Sequence, residues 1–291
     1  MDKIVLITGT SSGFGRLTAQ TLAKAGHKVY ASMRDINQKN QESAKELEEW
    51  SRTYRLMLKV IELDVTNIKS VESAVNEILV EDGRIDVLVN NAGSGCLGIT
   101  EDFTSEIVRR QFETNVFGVF DLTKTVIPYM KKAKSGLIIT ISSGLGRIVV
   151  PLISVYSACK FAVEALAEGW RYELNPIGID SIIVEPGMYP TTKFLENASY
   201  YSPEPSGKIS EYGVLKNFME NYQTTIKESI KNGNANNPQD VANTIECLIN
   251  LPYGVRPLRT VVDKMSAAMI RNLNKTTDEI EFNMLQVYDL A

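Results

Sequence analysis

The stretch 3–25 constrains the fold more than any other part of the chain. Lys3-Ile4-Val5-Leu6-Ile7-Thr8 is a short apolar, β-branched run of the kind that forms a strand buried on both faces. Thr8-Gly9-Thr10-Ser11-Ser12-Gly13-Phe14-Gly15 follows, then Leu17, Ala19, Leu22, Ala23 and Ala25 at near-helical spacing. Strand, glycine turn and helix in this order bring backbone N–H groups and a helix N-terminus to one point, which suits an anionic pyrophosphate. The early glycines permit a tight turn and close approach of phosphate, while Gly15 lets the helix pack on the strand. Taken alone, the motif is also compatible with an ordinary glycine-rich turn. A literal G-x-G-x-x-G occurs at Gly93, Gly95 and Gly98, but no helical start follows it. It reads as a loop beside the ligand rather than as the phosphate turn.

The alternation continues for most of the length. Strands are expected at 28–33, 56–62, 85–89, 137–141 and 179–184, and helices at 38–52, 68–79, 105–132 and 155–174. Such βαβ repetition predicts an α/β fold, a doubly wound parallel sheet of the Rossmann type with helices on both faces. Ligands of these sheets bind outside the carboxyl ends of the strands. Gly9–Gly15, Asp64, 90–93, Ser142-Ser143 and Pro186-Gly187 each follow a different strand, so they converge on that edge.

Tyr156 and Lys160 lie one helical turn apart, thirteen residues and more after Ser143. A phenol, an amine and a hydroxyl can pass a proton to or from an oxygen during carbonyl–alcohol chemistry. The spacing recurs at Tyr189/Lys193 and Tyr212/Lys216, where a solvated surface pair is the simpler reading. Only the Tyr156 copy opens a helix just after a strand end that carries serines.

Composition removes several alternatives. A net charge of −4 argues against a nucleic-acid surface, which needs a basic footprint. Cys96, Cys159 and Cys247 are scattered and His27 is the one histidine, so no metal site is expected and buried free thiols are the default. His27, between a helix end and a strand, reads as a surface or capping residue. No apolar run is long enough to span a bilayer and Asp2 follows Met1, so a cytoplasmic protein is expected.

The ordered set of motifs resembles the classical short-chain dehydrogenases/reductases, from about residue 3 to 192 and more weakly from 237 to 262. The glycine turn is similar to that family's T-G-x-x-x-G-x-G, Asn90-Asn91-Ala92-Gly93 to its N-N-A-G, and Asp64-Val65 to its adenine contact. Asn115, Ser143, Tyr156 and Lys160 match its catalytic four, and Pro186-Gly187 to Thr191 its P-G-x-x-x-T segment. The resemblance implies a nicotinamide cofactor held by Gly9, Thr10, Ser12, Gly13, Phe14, Gly15, Asp64, Val65, Asn91, Ala92, Gly93, Tyr156, Lys160, Pro186, Gly187 and Thr191. It implies Tyr156 as general acid/base, Ser143 polarising the carbonyl, Lys160 bonding the ribose and Asn115 anchoring a water. Ser143, Leu145, Tyr156 and Met188 would meet the substrate. An ammonium about 5 Å from a phenol, at an effective dielectric of about 20, favours phenolate by about 3 kcal/mol, before burial pushes the other way.

Met33 stands where NAD-binding members place an acid, and Arg34 follows it, which suits the 2′-phosphate of NADP(H). Asp35 one step on, and Ser12 in place of a basic residue, leave NAD(H) open. The segment 191–237 breaks the alternation with Phe194, Leu195, Tyr200, Tyr201, Tyr212, Phe218, Met219 and Tyr222. Leu215, Phe218, Met219, Tyr222 and Ile226 share one helical face, either packing on the core or forming a lid over an apolar pocket. The runs 29–35 and 256–259 resemble the hydroxysteroid- and retinol-dehydrogenase branch, which implies a lipophilic substrate. The expected organisation is one catalytic domain, 1–262, with an extension at 263–291 packed on it. That extension holds Met265, Met269, Ile270 and Leu273 in one apolar patch and Ile280, Phe282, Met284, Leu285 and Val287 in another. By resemblance, a homodimer or homotetramer would form on 105–132 and 155–174. The rival readings are a non-catalytic cofactor sensor, a family member acting on small polar carbonyls, and a sugar-nucleotide epimerase or dehydratase.

Overall fold

The computed structural model describes residues 2–288, without the side chains of Tyr200, Lys216, Met219 and Gln223. The expected parts played by Tyr200 and Met219 therefore lie outside the described side chains. Seven strands form one sheet in the order β3-β2-β1-β4-β5-β6-β7, and every pairing is parallel. They are β1 (Ile4–Thr8), β2 (Lys28–Met33), β3 (Leu58–Glu62), β4 (Val87–Asn90), β5 (Gly136–Ile141), β6 (Ile179–Pro186) and β7 (Arg259–Val262). From β1 the chain winds outward to β3, then returns to lay β4 on the other side of β1. That reversal opens a crevice at the carboxyl ends of β1 and β4.

The strands are apolar throughout because both faces are covered. In β1, Ile4 and Leu6 join one core cluster, and Val5 and Ile7 the other. Leu88 and Ile138 repeat the first phase, Val87, Val89 and Ile139 the second. Each fully buried aliphatic side chain contributes roughly 1.5–3 kcal/mol. Helices α3 (Ile68–Asp82), α5 (Gly118–Ala133) and α6 (Ser154–Leu174) cover the first face. Helices α1 (Gly13–Lys24), α2 (Gln41–Tyr54) and α9 (Gln239–Asn250) cover the second. The remaining helices are α4 (Ser105–Phe112), α7 (Phe194–Tyr201), α8 (Phe218–Lys231) and α10 (Ala267–Val287).

Three expectations change. The helix expected over 105–132 is divided: α4 passes through a wider π turn, Glu113–Phe117, before α5 begins. Inside that turn the Asn115 amide donates to the Gln111 carbonyl at 2.9 Å, so a side chain takes an acceptor that regular winding would use. Apart from Met265, which precedes it, the two apolar patches of the tail belong to one 21-residue helix, α10, on which Ile270 is buried while Met269, Ile280, Phe282, Met284 and Val287 face outward. Cys96 and Cys159 are buried free thiols, but Cys247 is exposed. His27 is buried rather than on the surface, and its Nδ1 accepts the Lys3 N–H at the start of β1. No helix among the described residues is long and apolar enough to cross a membrane.

Candidate active site

The glycine turn is built by close approach. Gly9 has φ 71°, and a Cβ there would lie 2.9 Å from the Ala92 Cα. A Cβ on Gly15 would overlap the Gly9 carbonyl, so α1 rests on backbone with no room for any side chain. Asn91 stitches the turn to β4: its Nδ2 donates to the Thr8 carbonyl at 2.7 Å and the Gly9 carbonyl at 3.1 Å. Thr8, which sequence reasoning passes over, accepts the Asn91 and Ala92 N–H groups on its hydroxyl at 3.0 and 2.9 Å. Its signal was its place as the first letter of the turn motif. Thr10 bonds back to the Ser32 carbonyl through its hydroxyl and its N–H.

These residues fit a dinucleotide. Ser12 caps α1 without a side-chain hydrogen bond, and no acid stands in the first turn. The helix end therefore offers N–H groups that no side chain claims and no carboxylate repels. Phe14 stacks edge-on against Tyr189, 4.8 Å between ring centres, which ties the turn to the segment after β6. Asp64 binds the N–H and hydroxyl of Thr66 at 2.9 and 2.8 Å, and Val65 packs against Gly118. Arg34 stands at the end of β2, where its Nη2 donates to the Tyr201 hydroxyl of α7 at 2.8 Å. Asp35 adopts φ 53° and lies 3.9 Å from the Arg34 Nε, while Glu62 accepts the N–H groups of Asp35 and Ile36.

The phenol, amine and hydroxyl meet at the same edge. Tyr156 and Lys160 are both buried on the first two turns of α6, with the Lys160 Nζ 5.6 Å from the Tyr156 ring centre. Nζ donates to the Ile141 carbonyl at 2.8 Å, at the end of β5. Ser143 follows two residues later; its hydroxyl accepts the Leu145 N–H at 3.1 Å and lies 3.5 Å from the Pro186 carbonyl. Asn115 is fully engaged. Its Oδ1 accepts the Ser94 N–H, and its Nδ2 donates to the Ser94 carbonyl and to Gln111. Its position fixes Gly93, where a Cβ would fall 2.7 Å from Asn115 Oδ1 and 3.8 Å from Lys160 Nζ.

The electrostatics reverse one expectation. Burial pushes the Tyr156 phenol well above its ordinary value, and the Ser143 hydroxyl opposes this without overcoming it. Burial also pushes Lys160 down to about 8, so the amine is a weaker counter-charge than one in water. Desolvation outweighs the acidifying effect expected of the pair, so burial favours the protonated phenol.

The surroundings of the phenol are apolar. Cys96 and Ile153 form a small cluster with Tyr156, and Leu97, Phe103, Leu145, Val150 and Phe194 pack against it. Phe194, at the start of α7, sits edge-on to Tyr156 with ring centres 5.4 Å apart. The decoy glycines give α7 its seat: a Cβ on Gly95 would lie 2.6 Å from Phe194, and one on Gly98 2.8 Å from Pro203. The Leu97 N–H bonds the Ser202 hydroxyl at 2.7 Å. Met188 is half-buried and its carbonyl accepts from Asn236, whereas Thr191 is exposed. Of the helical face expected in 215–226, Phe218, Tyr222 and Ile226 lie on α8, but Leu215 precedes it in a tight turn. No group of acids, histidines and cysteines among the described residues could hold a metal ion.

With fold and edge geometry in place, the comparisons are decisive for class. The sequence pattern of the short chain dehydrogenases matches residues 3–200, and the chain belongs to that family. It is 40% identical over 231 residues to a 3-ketodihydrosphingosine reductase of Bacteroides thetaiotaomicron, covering 79% of this chain and 78% of that one. It is 35% identical over 249 residues to retinol dehydrogenase 8 of Bos taurus, covering 84% and 76%. A solved short-chain dehydrogenase from Streptomyces avermitilis superposes with a TM-score of 0.76 at 29% identity, covering 99% of this chain and 97% of that chain. Solved chains of the same fold carry NADPH in one case and NAD in another. The protein is a nicotinamide-dependent oxidoreductase of the classical branch with retinol-dehydrogenase-like relatives.

Proposed function

We propose that this enzyme interconverts a lipophilic ketone or aldehyde and its alcohol, with NADP(H) preferred over NAD(H). The observation that carries the reading is the buried phenol of Tyr156 inside an apolar enclosure, beside Ser143 and Lys160. Bound nicotinamide supplies or accepts the hydride. Tyr156 gives its proton to the carbonyl oxygen in reduction, and its burial keeps that proton in place until the oxygen is basic enough to take it. The Ser143 hydroxyl, held by the Leu145 N–H, donates to the same oxygen and polarises it. Lys160 bonds the cofactor ribose and restores charge near the phenolate, while the Ile141 carbonyl holds the amine at the edge. Leu145 and Met188 line the substrate side, and α7 closes over it through Phe194.

The apolar lining and the lipid-type names of two relatives both support a lipophilic substrate. Arg34 supports NADP(H), because a guanidinium at the end of β2 suits a 2′-phosphate. Residues 1–262 would form the catalytic domain with 263–291 as its extension. Phe117, Phe120 and Phe161 are exposed on the outer faces around α5 and α6, which supports a second copy packing there. Tyr156→Phe tests the core of the reading. Cofactor affinity should persist while turnover of long-chain aliphatic ketones falls by about a thousandfold, within the range for a general acid. Normal turnover in that variant would remove Tyr156 as proton donor; wild-type turnover confined to small sugars would remove the lipophilic substrate.

A further inference from the structure

Behind the catalytic edge lies a second buried polar cluster that the reaction itself does not use. Glu164 stands on α6 one turn beyond Lys160, and Glu185 on β6 two residues before Gly187; both are buried. Arg259 of β7 donates to Glu164 at 3.0 Å and pairs with Glu168. From the other side, Arg147 donates to Asn274 of α10 at 2.9 Å and to Thr277 at 2.8 Å. Asn274 in turn donates to Glu185 at 2.6 Å. Arg147 lies four residues after Ser143, in the same loop.

The cluster is an expensive way to attach a helix. Covering β7 needs only an apolar face, and well-packed apolar residues commonly match or exceed buried ion pairs in stability. Here the Ser142 Oγ, one oxygen of Glu164 and one of Glu185 have no hydrogen-bond partner among the described residues. Networks of this kind trade stability for one defined arrangement. What they define in this chain is adjacent to chemistry: Ser142 precedes Ser143, Glu185 precedes Pro186-Gly187, and Glu164 follows Lys160. The Ser143 loop is also pressed onto α6 at Gly146, where a Cβ would lie 2.7 Å from the Ser142 hydroxyl and 2.9 Å from the Glu164 side chain. A second tie exists at the start of α10. Asp263 accepts the Ser266 N–H at 2.7 Å and occupies the space that a Cβ on Gly187 would need. Burial first, and then repulsion from Glu164, push Glu185 up to about 7 against the hydrogen bond from Asn274 and the pull of Arg259 and Arg147.

We propose that Asn274 and Arg147 are positioning residues: from the C-terminal helix, through Glu185, they fix the loop that carries Ser143 and the strand end that carries Pro186-Gly187. The inference rests on the oxidoreductase reading for its kinetic consequence and on the fold alone for its structural one. The hydrogen bond between Asn274 and Glu185 sets the distance between α10 and the end of β6, and Arg147 transmits it to the Ser143 loop. A displacement of about 1 Å at such a loop can cost up to about a hundredfold in rate.

The test uses the full chain with NADPH and 2-dodecanone, together with hydrogen exchange at 142–147 and 185–188. Asn274→Ala should lower kcat about tenfold with the cofactor KM within about twofold, and should speed exchange in both segments. Thr277→Val, which removes only one partner of Arg147, should move the same quantities less and in the same direction. Asn274→Asp sets a carboxylate against Glu185, so its loss of kcat should deepen as pH rises from 6 to 8. Adding Glu185→Gln to Asn274→Asp exchanges donor and acceptor and should restore kcat to within about threefold of wild type. Unchanged kcat and unchanged exchange in folded Asn274→Ala would overturn the proposal, as would failure of the double variant to recover. If the wild type does not reduce the ketone, the substrate reading fails, and exchange at 142–147 alone then decides the clamp.

Discussion

The two halves of the sheet hold their ligand-facing ends by different means. Around β1 and β4 the edge is built from backbone: Gly9 against Ala92, Gly15 against the Gly9 carbonyl, and Asn91 bonded to two carbonyls. Around β6 and β7 it is built from buried side-chain charge, with Arg259 between Glu164 and Glu168 and Asn274 on Glu185. The fit of the first half is steric, backbone against backbone. The second is polar, adjustable and pH-sensitive. A site that must bind a fixed anion and also position a proton donor is served by one rigid wall and one tunable wall.

The contrast can be broken in four ways. Arg259→Leu should have the largest effect on stability, about 3–5 kcal/mol at pH 8, because it leaves buried carboxylates without their counter-charge. That loss should shrink at pH 5, where Glu164 and Glu185 can take up protons; a pH-independent loss in chemical denaturation would show that the charge is not what holds this half. Gly15→Ala should cost about 1–3 kcal/mol by overpacking and should lose that same amount at both pH values, with cofactor affinity falling alongside. Wild-type stability supplies the third comparison. Carboxyls raised on folding contribute stability that is fully present below their unfolded value and is lost as pH rises through about 7, the value for Glu185. The Tm should therefore fall between pH 5 and pH 8, and Glu185→Gln should flatten that slope; an equal slope in the variant would assign it elsewhere. The smallest effect concerns cofactor choice. Arg34→Ala should weaken NADPH by about tenfold while sparing NADH, in keeping with about 1.5–3 kcal/mol for a charged hydrogen bond. Equal weakening of both would mean that Arg34 acts only through its bond to Tyr201.

The same division explains what could be read from sequence. The glycine turn was legible because no other residue type fits where Gly15 meets a carbonyl, so geometry leaves a mark on the residue string. The strands were legible because burial on two faces demands uninterrupted apolar runs such as 4–7 and 137–139. The polar wall left no such mark: Asn274 and Glu185 are 89 residues apart, and Arg147 and Asn274 are 127 apart. A single hydrogen bond between distant residues has no period. The enclosure of Tyr156 leaves no mark for a related reason. Spacing shows that an amine is one turn away, but not that both groups are enclosed by Cys96, Ile153 and Phe194. The π turn leaves little trace because one extra residue barely disturbs a helical pattern over 105–132.

That turn has a geometric corollary. One residue corresponds to about 100° of helical rotation, so everything after Asn115 is turned by that angle relative to an unbroken helix. Removing a single residue from Glu113–Phe117 would restore even winding and swing α5 about its axis. Leu122 and Val126 would leave the core, and Phe117 and Phe120 would no longer look outward. The inserted residue that aims an amide at the Ser94 backbone thus also chooses which side of α5 looks outward.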